Sequence, residues 1–180
     1  PNQIIKQGTG TWQQGGNSSG YQDNTTIQAG TWQLQPGAQY GSTAKGIVSL
    51  AAGSNLTYNI AVNQRPLLQA RTFNINGAVN VLGGNQIAAH LAPGQSSVAQ
   101  PVAITGTPIY VNGTPAISGN VLGQTSLPFY NYQLTFSSPT QLNLIVQRSA
   151  LTFAQAAGSS VNTQGVAHAL DSISPSALTG

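Results

Sequence analysis

Gly16-Asn17-Ser18-Ser19-Gly20 spells G-x-S-x-G, the pattern that sets a serine nucleophile on a sharp turn between a buried strand and a helix. Neither flank reads as that pair of elements, and in a stretch this rich in Gly and Ser the match arises by accident. A nucleophilic serine also needs a base and a group to orient it. The two histidines, His90 and His168, lie far apart, and Asp23 and Asp171 are the only acids. Glycoside cleavage needs two carboxylates facing one bond, which Asp23 and Asp171 cannot supply from opposite ends of an elongated stack. With no cysteine there are no thiolate ligands for zinc, and calcium repeats of the G-G-x-G-x-D type are missing from the sequence. The expectation is a chain that is not an enzyme and takes no cofactor or metal.

The remaining chemical candidates are aromatic. Gly10-Thr11-Trp12-Gln13 returns as Gly30-Thr31-Trp32-Gln33, and Tyr21 and Tyr40 stand nearby. Trp12 and Trp32 could stack on sugar rings from an exposed ladder. A spacing of about twenty residues instead suits a solenoid repeat, in which the two indoles take equivalent core positions in adjacent coils; this second reading is favoured.

The elements that would hold such side chains are short strands. From Ile47, the residues Leu50, Leu56, Tyr58, Ile60 and Val62 fall in extended pieces broken at Ala52-Gly53-Ser54-Asn55. After the corner at Gln64-Arg65-Pro66 a second unit carries Phe73, Ile75, Val79, Val81 and Ile87, punctuated at Asn76-Gly77 and Gly83-Gly84-Asn85. A third runs from Val102 to Leu122, cut at Thr107-Pro108, Asn112-Gly113 and Ser118-Gly119-Asn120. Coils of this length with Gly or Asn at the corners predict a parallel β-solenoid, with apolar residues in a shared column and Asn, Thr and Ser outside. The competing architecture is an antiparallel sandwich, because each Asn-Gly could be a two-residue hairpin turn.

Hydrophobic residues make up 39% of the 180, enough for a sizeable core, and the recurring alternation argues against disorder. Only 4% are charged, so Asn, Gln, Ser and Thr must keep the surface wet. The five bases, Lys6, Lys45, Arg65, Arg71 and Arg148, are scattered, which makes nucleic acid an unexpected partner. The absence of cysteine suits a chain that stays unfolded across an oxidising periplasm, where early disulfides would trap it. Pro1 is followed by no signal-peptide pattern, so the chain reads as an excerpt of a longer precursor.

Near the end, Phe129, Tyr130, Tyr132, Leu134 and Phe136 precede a turn at Ser137-Ser138-Pro139-Thr140, and Leu142, Leu144 and Val146 follow it. That alternation predicts a hairpin with one apolar face, which cannot stand alone in water and needs a platform. Leu151-Thr152-Phe153-Ala154 reads as a further short strand. Val166, Ala169, Leu170 and Ile173 then take helical spacing behind Asn162-Thr163, with Ser174-Pro175 as the stop.

These last stretches carry a resemblance. FYNYQLTF, a turn, QLNLIVQR, then LTFAQAAGSSVNTQGVAHALD is similar to the end of autotransporter passenger domains in type V secretion, just before the linker entering the outer-membrane barrel. In that family an L-x-V-x-R segment, here Leu144 to Arg148, is followed by F-A-x-x-A, here Phe153 to Ala157, and by a V-A-x-A-L-D stretch, here within Val161 to Asp171. The chain departs from the pattern at Asn162-Thr163-Gln164, where an Asn-Gln pair is usual, and at His168.

The resemblance implies an all-β, right-handed parallel β-helix (solenoid) over 1–128, a C-terminal cap or autochaperone region over 129–173, and the start of the linker at 174–180. The cap core would be Phe129, Tyr130, Tyr132, Leu134, Phe136, Leu142, Leu144, Val146, Phe153, Val166 and Leu170, with a short helical turn at the end. The implied partner is the chain's own outer-membrane β-barrel translocator, and the implied location is extracellular, at the bacterial cell surface. An adhesive module binding host or matrix glycans through Trp12 and Trp32 is the alternative.

Overall fold

The computed structural model describes residues 2–61, 64–83, 97–126 and 130–148. Phe129, Phe153, Val166 and Leu170, the expected helical turn, both histidines and Asp171 therefore lie outside the described residues.

The described chain is all β, in seventeen strands arranged as a solenoid with an antiparallel end. The first coil holds β1 (Gln3–Lys6), β2 (Thr11–Gln14) and β3 (Asn17–Ser18). The second holds β4 (Asn24–Ile27), β5 (Thr31–Leu34) and β6 (Gln39–Gly41). β7 (Ile47–Leu50), β8 (Asn55–Asn59) and β9 (Leu67–Ala70) form the third, and β10 (Thr72–Ile75), β11 (Ala78–Leu82) and β12 (Ser97–Thr105) the fourth. Equivalent strands pair in parallel and build three sheets, so β1 to β10 is three full circuits.

Strand alternation decides what faces inward. β5 exposes neither Trp32 nor Leu34 while Thr31 and Gln33 face out, and β4, β7, β8 and β10 repeat the rule with Ile27, Leu50, Tyr58 and Phe73 inside. The buried residues of all three sheets form one continuous cluster. Outward amides and hydroxyls tie neighbouring coils together. Gln7 donates to Gln28 at 2.9 Å, Asn59 to Gln35 at 3.2 Å and Asn74 to Ser49 at 3.3 Å.

Close stacking also fixes glycine where a coil turns. Gly41 has φ +76°, and a Cβ there would run into the Gln69 carbonyl of the next coil.

Tyr58 carries a hydroxyl into the apolar column. Tyr58 is fully buried, its oxygen has no hydrogen-bond partner, and burial pushes its pKa far above the usual tyrosine range. Tyr40, by contrast, shares a 2.5 Å hydrogen bond with buried Thr25 and is pushed up to about 12, chiefly by burial. An unpaired buried hydroxyl costs about 1–3 kcal/mol. Tyr58→Phe is therefore expected to raise unfolding free energy by about 1 kcal/mol in a urea titration; a loss of stability would mean that the hydroxyl has a partner, such as a bound water.

The third sequence unit departs from expectation. Val102 to Leu122 does not complete a fifth coil. β13 (Tyr110–Val111) begins one by pairing in parallel with β10, then folds back on β14 (Thr114–Pro115). The reversal is at Asn112-Gly113, with φ of 49° and 78°, the backbone of a two-residue hairpin turn. Asn76-Gly77, with the same residues, is instead a corner between β10 and β11 of one coil. A Cβ on Gly77 would meet the Ser54 carbonyl, so there glycine serves stacking, whereas at Gly113 it serves positive φ.

Candidate functional site

The chemically distinctive region is the antiparallel end. β15 (Val121–Ser126), β16 (Tyr130–Ser138) and β17 (Gln141–Arg148) form a three-stranded ribbon. Ser138 and Gln141 face each other across Pro139-Thr140, and the Ser138 hydroxyl accepts from the Thr140 amide at 3.3 Å, which holds the turn. Across the pair Tyr132 opposes Val146, Leu134 opposes Leu144 and Phe136 opposes Leu142. Leu134, Phe136, Leu142, Leu144 and Val146 are buried, and Tyr130 and Tyr132 are half-buried at the outer end. The predicted apolar face is thus one surface.

This surface is attached to all three sides of the column. β17 pairs antiparallel with β12, which farther along pairs in parallel with β9, so one strand joins the two pairing modes. The register slips between Pro101 and Ala103, where Pro101 has no N–H to give the ladder. On the second side the Tyr132 hydroxyl donates to the Val81 carbonyl of β11 at 3.4 Å. On the third, the amide of Ile109, next to β13, donates to the Pro139 carbonyl at 2.7 Å; the Thr105 amide, at the end of β12, donates to the Thr140 carbonyl at 2.9 Å. Beside the turn, Gly119 donates to the Phe136 carbonyl at 2.7 Å and the Ser118 hydroxyl to the Ser137 carbonyl at 2.9 Å. Ile109 and Ala116 belong to the same apolar cluster. The ribbon therefore lies over the open end of the column and shares its core.

Sequence reasoning missed β15 and the 106–120 segment as parts of this structure. Val121 to Ser126 carries two adjacent apolar residues and then Gly-Gln-Thr-Ser, so it offers no alternation to read. Antiparallel pairing consequently starts before residue 129, where sequence alone placed the cap's beginning. Between β11 and β15 a cleft of about 130 Å³ remains, lined by Val79, Val81, Gln124, Thr125, Tyr132 and Leu134. Arg148 stands 5.9 Å from the centre of the Tyr130 ring, a cation–π contact at the ribbon's end.

The other candidates have different settings. Trp12 and Trp32 are direct register partners, stacked at 5.3 Å and 9°, and Trp32 meets Tyr40 edge-on at 4.8 Å. Trp32 has no exposed surface, so it has no face to offer a sugar ring; Trp12 is half-buried. Ser18 ends the two-residue strand β3 and no helix follows it, which removes the nucleophile-elbow geometry. Its hydroxyl receives a hydrogen bond from Gln14 at 3.0 Å. Among the described residues no three His, Cys, Asp or Glu side chains cluster as metal ligands.

Comparison with protein-family models, curated proteins and solved structures finds no match to this chain.

Proposed function

We propose that this chain is the C-terminal part of an autotransporter passenger, a non-enzymatic stalk exposed at the bacterial surface whose antiparallel end templates folding during export. The observation carrying the reading is the attachment of the β15–β17 ribbon to all three sheets at one end of the column. The resemblance of Leu144 to Arg148, Phe153 to Ala157 and Val161 to Asp171 to the passenger ends of that family adds to it.

The physical logic is that of a one-dimensional stack. A coil gains its contacts only from a neighbour, so the first coil is the costly one. Parallel partners lie far apart in sequence, as Leu68 and Ala103 do, and closing such loops is slow. The β16–β17 hairpin closes through a two-residue turn, and once formed it offers β17 as an edge for β12, which in turn offers an edge for β9. Export through the chain's own β-barrel translocator with this end leading would let each emerging coil dock on a finished one. Folding outside the cell would then oppose return.

Deleting residues 129–171 from the full precursor is expected to lower the amount of passenger displayed on intact cells several-fold, measured by surface labelling against total precursor. Undiminished display would sink the reading.

A further inference from the structure

The sequence holds two Asn-Gly pairs, Asn76-Gly77 and Asn112-Gly113, and the fold puts them in opposite settings. In this dipeptide the glycine nitrogen has no side chain beside it to hinder attack on the asparagine carboxamide. What decides reactivity is whether the backbone can bring that nitrogen onto the side-chain carbon, since an intramolecular step is only as fast as its geometry allows. Asn76-Gly77 is clamped. The Asn76 amide donates to the Leu50 carbonyl and the Ala78 amide to the Ser54 carbonyl, each at 2.9 Å, so the third coil holds the pair from both sides. A Cβ on Gly77 would strike the Ser54 and Ala51 carbonyls, and Ser54 itself is buried.

Asn112-Gly113 is held from one side. The Asn112 amide donates to the Ile75 carbonyl at 2.9 Å, but past Gly113 the chain is the two-residue β14, whose partners in β13 are Val111 for Thr114 and Tyr110 for Pro115. Pro115 brings no N–H to this short ladder. Residues 112–115 are all exposed, and nothing lies within 4 Å of where a Cβ on Gly113 would stand. A hairpin so lightly held opens locally at small cost, whereas a corner bonded to the next coil does not. Asn17-Ser18, another Asn with a small neighbour, is restrained as well, because the Asn17 side-chain oxygen accepts from the Ser19 amide at 3.0 Å.

We propose that Asn112 is a self-modification site, at which the folded chain turns its own carboxamide into a carboxylate with water as the only co-reactant. The Gly113 nitrogen bonds to the Asn112 side-chain carbon, Cγ; the bond from Cγ to Nδ2 breaks, and ammonia leaves with the proton that the Gly113 nitrogen gave up. Water then adds to one of the two carbonyl carbons of the resulting five-membered imide, breaking its bond to nitrogen and returning a proton to that nitrogen. Opening at Cγ gives aspartate; opening at the main-chain carbon gives isoaspartate, in which the backbone runs through the former side chain. Either product adds a negative charge to a chain whose formal net charge is +3. Isoaspartate also lengthens the turn by a carbon, which spoils the two-residue match between Val111 and Thr114. The inference stands independently of the secretion reading, because it uses only the surroundings of the two dipeptides.

The test uses the unaltered chain. Folded protein is held in mildly alkaline buffer made with heavy-oxygen water, and fragment-ion mass spectrometry locates the oxygen taken up. Both pairs lie between Arg71 and Arg148, so one tryptic peptide carries them and supplies its own internal comparison. Asn112 is expected to convert at least about tenfold faster than Asn76, which corresponds to a clamping difference of about 1.4 kcal/mol or more. Isoaspartate should accompany aspartate at position 112. In urea the two rates should converge, because unfolding removes the corner that shields Asn76. Equal conversion in the folded chain, reaction at neither site while both react in urea, or a ratio that persists in urea would each overturn the proposal.

Discussion

Trp32→Ala should lower the unfolding free energy by about 3–5 kcal/mol, the range for removing a large buried aromatic. The indole is fully buried, stacked on Trp12 above, edge-on to Tyr40, and in register with Leu56 below. Solenoid geometry makes collapse around the missing ring difficult, since parallel ladders fix the separation of the coils at the strand spacing of about 4.8 Å. The void should persist, though part of its cost is offset because the indole N–H, buried without a hydrogen-bond partner, leaves with the ring. Trp12→Ala removes a half-buried ring from the end coil and should cost less. Urea unfolding followed by circular dichroism checks both; equal losses at the two positions would show that the coils are not distinguished by burial.

Leu144→Ala is the second large effect, expected at about 2–5 kcal/mol. Leu144 is 1% exposed and directly opposite Leu134, also buried, so the two substitutions should couple in a double-mutant cycle, because the cavities they leave adjoin. The consequence reaches beyond the ribbon, since β17 is also the antiparallel partner of β12 and loosening it weakens the end of the whole column. Tyr132→Ala should cost less than Leu144→Ala, because Tyr132 is half-buried beside the cleft and its link to Val81 is a long 3.4 Å hydrogen bond. Strictly additive losses at Leu134 and Leu144 would contradict the paired packing.

The fold was legible wherever alternation was strong. Leu56, Tyr58, Phe73, Ile75 and Val79 alternate with polar neighbours, and all of them line the column. The Trp12–Trp32 spacing also predicted a ladder, since two identical tetrapeptides at coil spacing place identical side chains in contact. Two features were not legible. The dipeptide Asn-Gly satisfies both a tight hairpin and a solenoid corner, and only the neighbouring coil decides which. Lys6 sits at an inward position of β1, yet next to Ile4 and Ile5 it reads as an ordinary polar end to a strand. Its inward placement follows from register with Ile27 and its bonds to the Gly8 and Ala29 carbonyls, which sequence separation conceals.

The placement of β17 has a mechanical consequence. It is the strand nearest the C-terminus among those described, but it lies within its sheet, flanked by β16 on one side and β12 on the other. A pull applied beyond Arg148 cannot peel it like a margin strip; both flanking seams must tear at once. Tension arriving from that side therefore meets a strand bonded along both of its edges, one of them to β12 of the fourth coil.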